Sequence, residues 1–265
     1  MGWNGALTVQ WAARDFDPGL GYATYRDFSS EEWRLDHGWQ PATGPFQRIV
    51  ASFSGSAAAR NADRSLFTGE SYAEVRATTR RGLFAAVGDW HQVEDLREPF
   101  SPAAGVSIAP GRYGWDRAYA HVELPSGWKL RTVAEVGVGG FYDGRRLALD
   151  LTPTWNLSPH LELGGGYHLS HVTFPDRPGF DAHVAQVSVL AAWDTRLSAS
   201  LRGQYNSLRG ALGTSLRLRY NVRDGDDVFV VYDEGYNTDR LAASPTLPVS
   251  DHRRLLLKMT HTFGR

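Results

Sequence analysis

Three observations predict an all-β fold: period-2 alternation of apolar and polar residues, links that alternate short and long, and aromatic residues at strand ends. Together they predict one antiparallel up-and-down transmembrane β-barrel of about fourteen strands over residues 1–265.

In the first half of the chain the alternation is noisier. Leu7, Val9, Trp11 and Ala13 oppose Thr8, Gln10 and Arg14, and Trp33, Leu35, His37 and Trp39 oppose Glu32, Arg34, Asp36 and Gln40. Ile49, Ala51 and Phe53 oppose Val50, Ser52 and Ser54; Ala73, Val75 and Ala77 oppose Glu74, Arg76 and Thr78. Phe84, Ala86 and Trp90 are read as one outward face, as are Ala118, Ala120, Val122 and Leu124.

The second half alternates more cleanly. Residues 128–138 set Trp128, Leu130, Thr132, Ala134, Val136 and Val138 against Lys129, Arg131, Val133, Glu135 and Gly137. Residues 146–156 place Leu147, Leu149, Leu151, Pro153 and Trp155 opposite Arg146, Ala148, Asp150, Thr152, Thr154 and Asn156. Similar patterns cover 161–170, 183–193, 197–206 and 216–222, whereas 228–232 is apolar on both faces, with Tyr232 read as outward. At the end of the chain Leu255, Leu257, Met259, His261 and Phe263 alternate with Arg254, Leu256, Lys258, Thr260 and Thr262. A closing strand of this kind is expected to address the chain to the barrel assembly machinery.

Short links are expected near 41–45, 79–82, 125–127, 157–160, 194–197 and 223–227, with turn chemistry in Pro125-Ser126-Gly127, Ser158-Pro159 and Asp224-Gly225. Longer links are expected near 16–22, 55–68, 93–113, 171–182, 207–213 and 235–250, with one short exception at Asp143-Gly144. Outer-membrane barrels show this rhythm, with short turns on the periplasmic side. Outward aromatics then form two girdles: Trp39, Trp128, Trp155, Trp193, Tyr220 and Phe263 at the short-turn end, and Trp90, Tyr142, Tyr167, Tyr205 and Tyr232 at the long-loop end.

Composition agrees. The net charge of -1 gives no reason to expect nucleic acid, and the absence of cysteine excludes disulfides and thiolate metal sites. With a mean hydropathy of -0.37, the chain has no apolar run long enough for a membrane helix. No signal peptide opens the sequence, so an outer-membrane location implies a mature or excised chain. A soluble β-sandwich or propeller would carry Lys and Glu freely on its polar faces; here Gly, Ser, Thr and Asn mix with Arg and acids, as a wet lumen wall would.

The expected lumen-lining charges are Lys129, Arg131, Glu135, Arg146, Asp150, Glu162, Arg202, Arg217, Arg219, Arg254 and Lys258. In the earlier of these strands the signs alternate, as cross-strand pairing requires. The last five are basic with few acids nearby, a wall that would favour anions. Gly164-Gly165-Gly166 lies mid-strand with no helix after it, so it does not read as a phosphate loop. Asp89 and His91 could serve acid-base chemistry, but no partner motif accompanies them, and the histidines lack metal-ligand spacing. No catalytic residue, cofactor or metal is expected.

Several motifs also follow one another in a familiar order: Phe16-Asp17-Pro18-Gly19-Leu20-Gly21-Tyr22 with Arg26-Asp27, Pro110-Gly111-Arg112-Tyr113, Gly140-Phe141-Tyr142-Asp143-Gly144, Gln204-Tyr205-Asn206-Ser207, Leu216-Arg217-Leu218-Arg219-Tyr220, Val230-Val231-Tyr232-Asp233-Glu234-Gly235 and Arg254-Leu255-Leu256-Leu257-Lys258-Met259-Thr260. This order resembles the C-terminal β-barrel part of bacterial outer-membrane proteins whose N-terminal module is similar to carbohydrate-binding family nine. The resemblance covers essentially the whole chain, but only the C-terminal part of such a protein. It implies a barrel of unassigned function and brings no catalytic residues.

The expected function is a passive, porin-like channel for small polar or anionic solutes in the outer membrane of a Gram-negative bacterium, with the lipid bilayer as partner. The alternatives are an outer-membrane enzyme with a rim site and a structural or binding barrel that conducts nothing.

Overall fold

The computed structural model describes residues 2–17, 19 and 27–262. The chain is all-β and antiparallel, as the alternation requires. In chain order the strands are β1 (Gly2–Ala12), β2 (Phe28–Trp39), β3 (Phe46–Arg60), β4 (Leu66–Thr79), β5 (Phe84–Leu96), β6 (Phe100–Ala103), β7 (Val106–Ile108) and β8 (Gly111–Glu123). They continue as β9 (Leu130–Phe141), β10 (Gly144–Ser158), β11 (Leu161–Thr173), β12 (Phe180–Ala192), β13 (Leu197–Asn206), β14 (Ala211–Arg223), β15 (Asp226–Asn237) and β16 (Ser250–His261). Fourteen of them form one sheet in sequence order; β6 and β7 form a separate hairpin.

The chain divides into two units: residues 1–125, 135–148 and 171–180, and residues 126–134, 149–170 and 181–265. In the first, the ladders through β1, β2, β3, β4, β5 and β8 align whole rows of residues. One row runs Trp39, Ile49, Ala77, Ala85 and Val122; the next runs His37, Ala51, Val75, Val87 and Ala120; the next Leu35, Phe53, Ala73, Asp89 and Ala118. Directly opposed residues share a face, so these alternate rows form a largely apolar face. Leu35, Phe53, Val75, Val87 and Val122 are nonetheless exposed. The rows between them carry Arg34, Asp36, Glu74, Arg76, Arg117 and Tyr119.

The second unit repeats this sidedness. Leu201, Leu216, Leu218, Val230, Tyr232, Leu255 and Leu257 share the apolar face, and Arg202, Arg217, Lys258 and Asp233 share the other. Leu255, Leu257 and Met259 stand exposed.

The links differ from expectation in several places. The segment expected at 55–68 contracts to 61–65, because β3 and β4 keep pairing through Ala57–Gly69 and Ala58–Thr68. The 207–213 segment contracts to 207–210. The long segment after β5 holds the β6–β7 hairpin, whose Val106 and Ile108 are buried. The tight turns behave as their residues require: Gly225, between β14 and β15, takes φ +85°, open to glycine at no steric cost. Tyr142 in the β9–β10 turn also has positive φ. Pro18, residues 20–26 and Phe263 lie outside the described residues, and with them part of the first motif and one girdle aromatic.

Candidate functional site on the charged face

In the first unit, opposite charges on alternate positions meet across strands. Asp36 accepts from Arg34 Nε at 2.7 Å and from Arg76 Nη2 at 3.3 Å; the other end of Arg76 donates to Glu74 at 3.0 Å. The Tyr119 hydroxyl donates to the second Glu74 oxygen at 2.8 Å, and Tyr72 donates to Glu70 at 3.0 Å. His121 lies between Glu123 and Glu135, at 2.9 and 3.1 Å. A cavity of about 470 Å³ opens among these side chains.

Trp90 lies in this cavity, stacked on Tyr72 with ring centroids 5.4 Å apart and under the Arg117 guanidinium at 3.9 Å. This corrects its placement in the outward girdle. In β5 the even positions Phe84, Ala86 and Trp90 belong to the charged face, and the odd ones carry Asp89 and His91 on the apolar face. The bulk of Trp90 therefore misleads: its ring is satisfied by cation-π and stacking contacts rather than by lipid. Tyr142 is a second correction. Its hydroxyl donates to Glu94 at 2.7 Å, and its ring packs on Trp115, Tyr113 and Phe100 beside the hairpin.

Of the expected lumen residues in strands, Arg131 pairs with Glu162 at 2.8 Å, Asp150 with His168, and Glu135 with His121. Arg146 lines a cavity with Trp115 and His171. Lys129 needs correction, because β9 begins only at Leu130 and Lys129 falls in the preceding turn, where its carbonyl accepts from the Asn156 N–H; Trp128 is exposed in the same turn. In the second unit Arg219 engages Asp227 through two nitrogens, at 2.8 and 3.0 Å, and Arg254 engages Asp233 at 2.7 Å.

That leaves Arg202, Arg217 and Lys258. They line one cavity of about 360 Å³ with Ser200, Ser215 and Phe229. Arg217 lies over the Phe229 ring at 4.4 Å, and among the described residues no carboxylate forms an ion pair with any of the three. Three cations facing one cavity that no carboxylate lines can hold or pass an anion. Sequence reading placed five cations here, and pairing through Asp227 and Asp233 removes two of them.

Among the remaining girdle aromatics, Trp39, Trp155, Trp193 and Tyr220 are exposed, Trp193 from the turn after β12. Tyr167 shares a hydrogen bond of 2.8 Å with His183. Tyr205 lies opposite Ala185 and Leu212, and Tyr232 between Leu216 and Leu255. Tyr232 and Tyr236 both donate to the buried Glu234, which Arg253 also holds.

Outside the strands, loop carboxylates are tied down. Hydrogen bonds from Ser65, reinforced by Arg97, hold Asp63 far below the usual carboxylate range. Arg177, 2.5 Å from Asp143, lowers Asp143 in the β9–β10 turn, and backbone N–H groups of Leu197 and Arg196 lower Asp194. No protein-family model and no curated protein matches the chain.

Proposed function

We propose that the chain is a transmembrane β-barrel of a bacterial outer membrane and works as a passive channel for small polar solutes, with a preference for anions. The observation that carries this reading is the sidedness of the sheet. In both units one face exposes apolar side chains over several strands, while the other holds ion pairs and, in the second unit, three cations that form no ion pair with a carboxylate among the described residues. Exposed apolar area on that scale is costly in water and favourable in lipid. Lipid also demands that every backbone polar group be paired, so the reading requires a closed sheet. Fourteen strands exceed the roughly eight at which side chains fill a barrel, leaving room for a lumen. The order of motifs in the sequence supports the same architecture.

In this reading Arg202, Arg217 and Lys258 form the selective patch: they attract an anion without a fixed carboxylate to compete for them. The first unit's face carries more carboxylates (Asp36, Glu70, Glu74, Glu123 and Glu135) than guanidinium groups (Arg34, Arg76 and Arg117), so the anion preference rests on the basic patch of the second unit. Planar bilayers test the proposal. Purified protein should give steady current steps, and a salt gradient should give a reversal potential of the sign set by chloride. A sealed membrane containing folded protein would remove the channel, and a cation-selective potential would remove the role of the basic patch.

A further inference from the structure

The apolar face of the first unit carries a group of polar residues that the channel does not use. The row next to Leu35, Phe53, Ala73, Asp89 and Ala118 reads Trp33, Gly55, Ser71, His91 and Asp116 on five successive strands of the sheet. Ser71 lies directly across from His91, and His91 directly across from Asp116. His91 Nδ1 is 2.6 Å from Asp116 Oδ1. Both side chains are open to the surroundings, at 46% and 69% exposure. The row lies five residues from the ends of β4, β5 and β8 at Leu66, Leu96 and Gly111. The ends of β5 and β8 abut the long segment with the β6–β7 hairpin, and β4 begins after the 61–65 link.

Ionisable groups on a lipid-facing surface are expensive, a basic residue more than an acid. They are therefore retained for function by default. The order is the one acyl transfer needs. A carboxylate on Nδ1 fixes the imidazole tautomer and leaves Nε2 as the basic nitrogen, and a hydroxyl stands on the neighbouring strand. Directly opposed Cβ atoms are about 4.5–5.5 Å apart, so a side-chain rotation brings Ser71 Oγ within reach of the ring.

Resting on the membrane reading above, we propose that Ser71, His91 and Asp116 form an acyl-transfer triad on the lipid side of the sheet, acting on the ester bonds of membrane phospholipids. Ser71 Oγ bonds to the ester carbonyl carbon as its proton passes to His91 Nε2. The bond to the leaving alkoxide breaks as His91 returns that proton to it. Water then attacks the acyl-Ser71 ester, giving its proton to His91, and Ser71 Oγ takes the proton back as the fatty acid leaves. Ester and water become acid and alcohol, with no further reactant. Asp116 holds the ring and its charge throughout. The lipid delivers its ester group from the side, which explains a site on the apolar face rather than in a cavity.

The test uses the full chain in two settings: folded in detergent with p-nitrophenyl butyrate, and inserted in vesicles of phosphatidylethanolamine and phosphatidylglycerol with fatty-acid release as readout. Both should show hydrolysis, reduced at least about 100-fold in S71A and H91A and unchanged in T68A. A fluorophosphonate should label Ser71, as mapped by mass spectrometry, and the label should vanish in H91A. Hydrolysis and labelling that persist in S71A would overturn the triad, as would folded protein inert in both settings. Hydrolysis of the soluble ester alone, by protein that has inserted, would overturn the lipid substrate. Failure to insert, with Ser71-dependent cleavage of the soluble ester intact, would overturn the membrane reading and leave the triad standing.

Discussion

At the scale of single residues, the proposed channel makes the sign of Arg202 and Arg217 decide what passes the basic patch. Both project into the same cavity as Lys258, and the acids that neutralise Arg219 and Arg254 do not pair with them. Replacing both, R202E/R217E, changes the local charge by four and leaves Lys258 facing two carboxylates. The double variant should move the bilayer reversal potential toward the cation side, whereas R219Q, which removes a paired charge, should move it far less. A second residue-scale expectation concerns acid. Arg177 depresses the Asp143 carboxyl, so the pair contributes stability above the unfolded carboxylate pKa of about 3.9 and loses it as pH falls through the lower folded value. D143N should therefore narrow the difference between unfolding midpoints measured at pH 6 and in the acid range below about 4; an unchanged acid limb would remove the pair from the balance. The identities of these groups were legible in the sequence, but their pairing was not. Period-2 counting tells which face a charge occupies; it does not tell that Asp227 sits diagonal to Arg219 while Arg217 turns onto Phe229. Trp90 shows the opposite failure: parity grouped it correctly with Phe84 and Ala86, and its large ring pointed to the wrong face for all three.

At the scale of elements, close approach of backbones sets what the strands tolerate. A Cβ on Gly139 in β9 would lie 2.2 Å from the Asp116 carbonyl oxygen and 2.6 Å from the Arg117 Cα, both main-chain atoms that cannot step aside. Gly213 in β14 has nothing within 4 Å of the same position. G139A should lower the denaturant midpoint by the equivalent of about 1–3 kcal/mol, and G213A should barely move it. Equal effects from the two would show that strand entropy, not the close approach, governs both sites. The strands of the large sheet were readable in the sequence, and so were their faces outside β5, because alternation over a dozen residues repeats the same signal. Strand ends were less so: Ala57 to Arg60 and Leu66 to Gly69 pair through main-chain groups that carry no side-chain signature, which lengthened β3 and β4 beyond the pattern. The Ser71, His91 and Asp116 row was invisible for a related reason. Its ends, Ser71 and Asp116, lie 45 positions apart in the chain, and it exists only once three strands are set in register.

At the scale of the whole molecule, the question is what solvent the apolar face meets. Phe53 lies in the middle of β3, in one row with Leu35 and Ala73, and is 49% exposed. If this face met water, Phe53→Arg would swap one exposed side chain for a better hydrated one, and stability would stay within about 0.5 kcal/mol. If the face meets lipid, the same change places a guanidinium near mid-depth, at a cost of about 2–4 kcal/mol. The polar face supplies the control: Ser54, its neighbour in sequence, lines the cavity with Arg34 and Tyr72, where water is present in either case. Urea unfolding from phospholipid vesicles should therefore show F53R displaced to a markedly lower midpoint and S54R close to the parent. A midpoint for F53R equal to that of S54R would mean that the face is solvated on both sides, and would sink the membrane reading together with the lipid substrate inferred for Ser71.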